Sequence, residues 1–192
     1  MKPTPTTLAT YKPFLFIIPF VGFSILFYTL SPETIIEYIG VENAYLFIGV
    51  LAFLGGVTTF SGIPYHIVLV SLALGGLNPF ILGGVTAFAV MAGDATSYYL
   101  GTQTRSLLSQ RMNEWLEKLR LLYTNHPHLL PAVFFGYGCL MPFSNDVITI
   151  PMGMLGYPFW KVIIPLGLGN LIFNTTLALL AVYAYDYLEY FF

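Results

Sequence analysis

Two carboxylates stand in stretches that are otherwise apolar: Asp94, within Gly93-Asp94-Ala-Thr-Ser97-Tyr98-Tyr-Leu-Gly101, and Asp146, within Pro142-Phe-Ser-Asn145-Asp146. A carboxylate at membrane depth costs about 2.5 to 3.5 kcal/mol on insertion scales, so such a group faces a partner or water and not lipid. A carboxyl taken out of water also holds its proton more readily and can exchange it near neutrality. Asp94, Ser97, Tyr98 and Gly101 follow one another at three- and four-residue spacing and so share one helical face. In the last apolar run Gly167, Asn170 and Asn174 also share a face, the pattern of close helix approach with interhelical hydrogen bonding. The expected substrate or proton pathway comprises Asp94, Asp146, Asn145, His66, Tyr98, Asn170 and Asn174.

Other chemistries fit these residues poorly. Two carboxylates that share a proton can cleave peptides. An intramembrane aspartyl protease would, however, carry Gly-x-Gly-Asp where this chain has Met91-Ala92-Gly93-Asp94, and Tyr-Asp where it has Asn145-Asp146. Ser61 and His66 are near in sequence but have no orienting acid. The three histidines, His66, His126 and His128, lack metal-ligand spacing, and the single Cys139 excludes an intrachain disulfide. The chain is expected to be non-enzymatic, with no catalytic residue, metal or cofactor.

Composition places these groups in a membrane. Of 192 residues, 57% are hydrophobic and 8% charged, against about 25% charged in an ordinary soluble domain. Mean hydropathy is +0.77. The expected class is an all-α polytopic membrane protein forming one membrane domain over residues 1–192, with membrane lipids and protons as partners and no nucleic acid. Self-association into a homo-oligomer stays open.

The elements that must position the polar groups follow in order. Residues 13–30 form a first span: Tyr28 and Leu30 occupy positions that a signal-peptidase site would keep small, so it is read as uncleaved. Ser31-Pro32-Glu33 starts a short helix that Gly40 stops, and its acids, without Lys or Arg, put it outside. Residues 45–100 combine a broken hairpin with a span. The hairpin, Tyr45 to Leu74, is interrupted by Gly55-Gly56 and Ser61-Gly62-Ile63-Pro64 into arms of about ten residues, or about 15 Å, half of what a bilayer core of about 30 Å requires. A re-entrant hairpin explains this; two thin, kinked spans are the alternative.

Residues 101–127 hold a basic amphipathic helix, expected on the cytoplasmic membrane face or as a lid under the bundle, with Arg105 and Arg111 available to headgroups. Residues 128–185 repeat the hairpin-plus-span pattern, with Gly136, Gly138, Pro142, Asn145-Asp146 and Pro151 as breakers. Hairpin-tip backbone is assigned to Gly62, Pro64, Pro142 and Gly153. A shift of about 79 residues lays Asn78-Pro79-Phe80 on Tyr157-Pro158-Phe159 and brings Asp94 beside Asn174. The two halves are then inverted repeats, each a re-entrant helical hairpin followed by a transmembrane helix, preceded by an extra N-terminal span. Paired interrupted segments of this kind point to a midplane transport site. Every Lys and Arg falls inside if the N-terminus and residues 101–127 are cytoplasmic and the C-terminus is outside a cell membrane.

Gly93-Asp94-x-x-Ser97-Tyr98-x-x-Gly101, a basic helix, a Pro142-bearing loop, Gly153-Met154-x-x-Tyr157-Pro158-Phe159 and Asn170 occur in an order that resembles the DedA family of the VTT, or SNARE-associated Golgi protein, superfamily. The resemblance covers roughly Tyr45 to Tyr183. It implies re-entrant hairpins in an inverted repeat and the movement of lipids or lipid-linked phosphates between leaflets, as a scramblase or flippase, with proton coupling as one form. The chain departs from the pattern in having Asp146 where that family commonly has an arginine, Thr59 and Phe60 where it has an acid, and no arginine directly after Gly101. A carboxylate repels the phosphate that a guanidinium would clamp, so a divergent member with a different substrate is expected. The alternative is a structural or assembly protein without transport.

Overall fold

The computed structural model describes residue 25 and residues 32–57, 65–104, 110–125, 128–141 and 144–191, some of them by backbone alone, including all of 185–191. The expected first span over 13–30, apart from residue 25, lies outside the described residues, as do the tip residues Gly62, Pro64 and Pro142, and Arg105; Arg111 is described by its helical backbone only. The described residues are helical, with no strand among them. They form α1 (Pro32–Ile39), α2 (Val41–Val57), α3 (Tyr65–Leu74), α4 (Pro79–Thr104), α5 (Gln110–Asn125), α6 (Leu129–Leu140), α7 (Asp146–Leu155) and α8 (Trp160–Phe191).

Helix is what an apolar chain must form where water cannot satisfy its backbone. Two of the helices, α4 and the Trp160–Ala184 part of α8, are long and apolar enough to cross a membrane. Their outer sides expose Phe80, Phe88, Trp160, Leu168 and Leu180. Apolar surface that continuous is a liability in water and ordinary against lipid.

Helix ends are built by glycine. Gly40, with φ of 82°, ends α1, and Gly76 and Gly156, with φ of 90° and 67°, end α3 and α7. At α3 the Leu77 N–H donates to the Leu72 carbonyl (3.2 Å) and the Gly76 N–H to that of Ala73 (3.1 Å); at α7 Tyr157 donates to Met152 and Gly156 to Gly153, each at 3.0 Å. Both are Schellman turns, which need the left-handed conformation that glycine reaches without a Cβ penalty. Asn78 then caps α4, its Oδ1 accepting from the N–H of Phe80 (2.9 Å) and of Ile81 (3.3 Å).

The two halves correspond position by position. Gly156 follows Gly76 by 80 residues, and the buried positions Leu82, Thr86, Val90, Asp94 and Tyr98 of α4 match buried Val162, Leu166, Asn170, Asn174 and Ala178 of α8 at the same interval. In the first arms buried Ile48, Ala52 and Gly56 match Leu130, Phe134 and Gly138 at an interval of 82. The difference of two is the difference between the segments joining the arms, 58–64 in one half and 141–145 in the other. The shift of about 79 suggested by the two Pro-Phe pairs is thus one short after the tips. Those pairs occupy different places in their turns, while the left-handed glycines set the true register.

Packing follows the same correspondence. α2 lies on α4 with Gly56 against Val90 and Gly93, and α6 lies on α8 with Gly138 against Leu166 and Asn170. The second arms cross over: α7 packs on α4, with Gly153 against the Tyr98 carbonyl and Gly101 against that of Ile150, while α3 packs on α8. α4 and α8 run antiparallel, since Gly83 meets Thr175 and Gly167 meets Met91. Small residues at these crossings let the backbones themselves touch, as helix association in lipid favours. α5 stands apart, touching α7 and burying Leu116. Its exposed Glu117–Arg120 ion pair, at 3.4 Å, adds little.

Three expectations about breaks change. α2 runs unbroken through Gly55-Gly56, and is therefore longer than the ten-residue arm expected. Gly136 and Gly138 lie inside α6, and Pro151 inside α7. Gly153 is near the C-terminal end of α7, not at a hairpin tip. Composition cannot distinguish a glycine that ends a helix from one that admits a neighbour, and here Gly56, Gly138 and Gly153 do the latter.

These contacts give a graded expectation. A Cβ on Gly93 would lie 2.6 Å from backbone atoms of Phe53 and Gly56, whereas one on Gly84 meets nothing within 4 Å. Gly93→Ala is expected to destabilise the purified protein by about 1–3 kcal/mol or more, and Gly84→Ala to leave its thermal unfolding unchanged. Equal unfolding temperatures for both variants would contradict this packing.

Candidate functional site

Asp94 lies near the middle of α4, 15 residues after Pro79, or about 22 Å along the helix. It is 2% exposed. Its Oδ2 accepts a hydrogen bond from Asn145 Nδ2 at 2.7 Å, a contact between the two halves. Asn145 stands just before α7, and its own carbonyl accepts from the N–H groups of Ile148 (2.8 Å) and Thr149 (2.9 Å) and from Thr149 Oγ1 (3.2 Å). The side chain is thereby held at the entry to a helix that α4 grips through Gly101 and Gly153. Tyr137 Oη closes the hairpin from α6, donating to the Ser144 carbonyl at 3.0 Å, and the Ser144 hydroxyl accepts from the Asp146 N–H at 3.3 Å.

The first hairpin comes to the same level. Ser97 Oγ, one turn beyond Asp94, donates toward the carbonyls of Val57 (3.2 Å) and Gly56 (3.4 Å) of α2. Tyr65, the first residue of α3, lays its ring on Gly55. The second hairpin thus bonds Asp94 itself through Asn145, and the first is bonded to α4 one turn away, through Ser97.

The structure brings together Asp94, Asn145 and Asp146, the last 6% exposed. Tyr98 is buried on the same face, but its hydroxyl donates to the Tyr157 carbonyl and its ring packs edge-on against Phe159, 5.2 Å away. It ties the α7–α8 turn to α4. His66 turns to α8, with its ring 3.9 Å from that of Tyr65 and edge-on to Phe173 at 5.6 Å. Asn170 and Asn174 are buried on α8, and Asn174 is the position that matches Asp94 in the other half. Neither is hydrogen-bonded to Asp94. Among the described residues no group of three or more His, Cys, Asp or Glu could hold a metal ion.

Sequence reasoning missed Tyr65, Tyr137 and Thr86. Tyr137 precedes Ser144 by seven residues, but α6 stops at Leu140 between them, so helical spacing does not predict the bond and only the folded hairpin reveals it. A threonine in an apolar helix commonly bonds its own backbone, and nothing in the sequence marks Thr86 as different.

A junction of one carboxyl, one carboxamide and neighbouring hydroxyls can hold a proton or accept and donate hydrogen bonds to a polar group in transit. Comparison with protein families, with characterised proteins and with solved structures finds no match.

The Asp94–Asn145 bond joins the two halves and is testable as an energy. In a double-mutant cycle of Asp94→Ala and Asn145→Ala, followed by reversible unfolding, a coupling of about 0.5–3 kcal/mol is expected. Strict additivity of the two changes would show that the bond does not hold the hairpin to α4.

Proposed function

We propose that this chain is an integral membrane protein that moves lipids or lipid-linked phosphates between leaflets, with the Asp94–Asn145 junction as its polar station. The observation that carries this reading is a hydrogen-bonded carboxylate, 2% exposed, at mid-length of a helix able to span a bilayer and bonded there to Asn145 of the second hairpin. A polar group at that depth is a functional site by default in membrane proteins.

The internal repeat supports the same reading. Halves that correspond at 80 residues, with antiparallel long helices, fit a two-fold axis in the membrane plane and hence inverted topology. The second arms α3 and α7, each of 10 residues, reach about 15 Å and suit re-entrant hairpins entering from opposite sides. The N-terminus and residues 101–127 would then be cytoplasmic, with the C-terminus outside. In this account the chain is a divergent relative of the DedA family, on the residues that carry the resemblance, and a non-enzymatic one.

An apolar groove of about 190 Å³ lies where α4 crosses α8, lined by Ala87, Phe88, Met91, Ile164, Gly167, Leu168 and Leu171. It suits an acyl chain that stays in lipid while the headgroup passes Asp94. A proton on Asp94 would let an anionic headgroup approach, which makes proton coupling a natural form of the mechanism.

Reconstitution tests the proposal. Vesicles containing the protein and a fluorescent phospholipid or polyprenyl phosphate are expected to expose the inner-leaflet probe to a membrane-impermeant quencher at least about tenfold faster than empty vesicles. Asp94→Asn and Asn145→Ala should each remove most of that gain, a loss of roughly 1.4 kcal/mol or more in barrier terms. Rates equal to empty vesicles for every probe would favour a structural role without transport.

A further inference from the structure

Three side chains in the middle of the bundle carry polar atoms with no protein partner. Asn174, 1% exposed, has neither Oδ1 nor Nδ2 bonded, Asn170, 7% exposed, has an unbonded Nδ2, and Thr86, fully buried, has an unbonded Oγ1. Asn170 and Asn174 are one turn apart on the same face of α8. The antiparallel register set by Gly83 against Thr175 and Met91 against Gly167 places Thr86 opposite the turn of α8 between them. The apolar groove takes one side of that crossing, and the three polar groups take the buried side.

An unsatisfied buried donor or acceptor costs about 1–3 kcal/mol, so four such atoms along one helix crossing are a heavy load for a membrane domain to carry unrelieved. Most buried polar groups in native proteins have a partner, and where protein supplies none it is ordered water. A buried water needs two to four polar partners. Thr86 Oγ1, the two carboxamide nitrogens and Asn174 Oδ1 supply donors and acceptors in that number. Along α4, Thr86 is two turns before Asp94, or about 12 Å, and Asn170 faces the interval from α8.

We propose that Thr86, Asn170 and Asn174 bind a row of ordered water that extends from Asp94 along the α4–α8 crossing. Asp94 is then one end of a hydrogen-bonded path, and Asn174, its counterpart in the other half, is the opposite end. A neutral carboxamide there can pass a hydrogen-bonded chain on without holding a charge. The path gives Asp94 a route for protons separate from the lipid-facing groove. It extends the transport reading and does not depend on lipid movement.

Microsecond X-ray radiolysis with mass spectrometry, on the full chain in nanodiscs, tests it. Hydroxyl radicals form from water at the site and oxidise what lies beside it, here Val90, 3% exposed and one turn from both Thr86 and Asp94 on the buried face of α4. Val68, fully buried within an apolar cluster, is the dry reference. Val90 is expected to be oxidised about fivefold or more faster than Val68, and Asn174→Leu to remove that excess. Asn174→Ser, which supplies a hydroxyl and leaves room for water, should retain it. Val90 oxidised no faster than Val68 in the wild type, or an excess unchanged in folded Asn174→Leu or Thr86→Val, would overturn the proposal. The wild-type comparison stands even if a variant does not fold. Lipid exchange measured on the same preparation reports on the transport reading, so the two can fail separately.

Discussion

A carboxylate that has left water must be met by partners that the fold brings to it, and Asp94 imposes that requirement on the rest of this bundle. Its partner, Asn145, belongs to the other half of the chain, so the second hairpin must end at the middle of α4. That is possible only where α7 can come to backbone contact, at Gly101 and Gly153. On the facing side Gly56 and Gly93 let α2 come close enough for its Gly56 and Val57 carbonyls to accept from the Ser97 hydroxyl. Without a hydrophobic force between helices in lipid, close backbone packing and interhelical hydrogen bonds are the available means of holding such an arrangement. Both are concentrated within a few residues of Asp94.

The scaffold repeats while its chemistry does not. At an interval of 80 residues, Asp94 corresponds to Asn174, Asn145 to Tyr65 and Asp146 to His66. The left-handed glycines, the buried face of each long helix and the crossover of the second arms are shared by both halves. Packing fixes those positions equally in each half, because both must pass the same crossing. The polar positions differ between the halves: the first carries Tyr65, His66 and Asp94, where the second carries Asn145, Asp146 and Asn174.

Much of this is legible in the chain alone, for definite reasons. The face formed by Asp94, Ser97, Tyr98 and Gly101 follows from helical spacing, and all four residues are buried on it. The same rule places Asn170 and Asn174 together. Breakers are harder to read: Gly55-Gly56 carries no mark to show that a helix continues through it to accept α4. The repeat is visible in sequence but one residue short, because recurring Pro-Phe pairs look alike wherever they stand in a turn. The meeting of Asp94 with Asn145 is beyond sequence reasoning, since no spacing relates residues 51 apart; only the fold brings them to bonding distance.

The central claim is that the two halves enter the membrane from opposite sides and meet at Asp94, and sidedness tests it most directly. The turns that follow the second arms carry exposed Asn78 and Pro158. With Cys139 replaced by serine, Asn78→Cys and Pro158→Cys can each be challenged with a membrane-impermeant thiol reagent in intact and in inverted vesicles. Asn78→Cys is expected to be labelled from the outer side only and Pro158→Cys from the cytoplasmic side only; labelling of both from one side would contradict opposite entry.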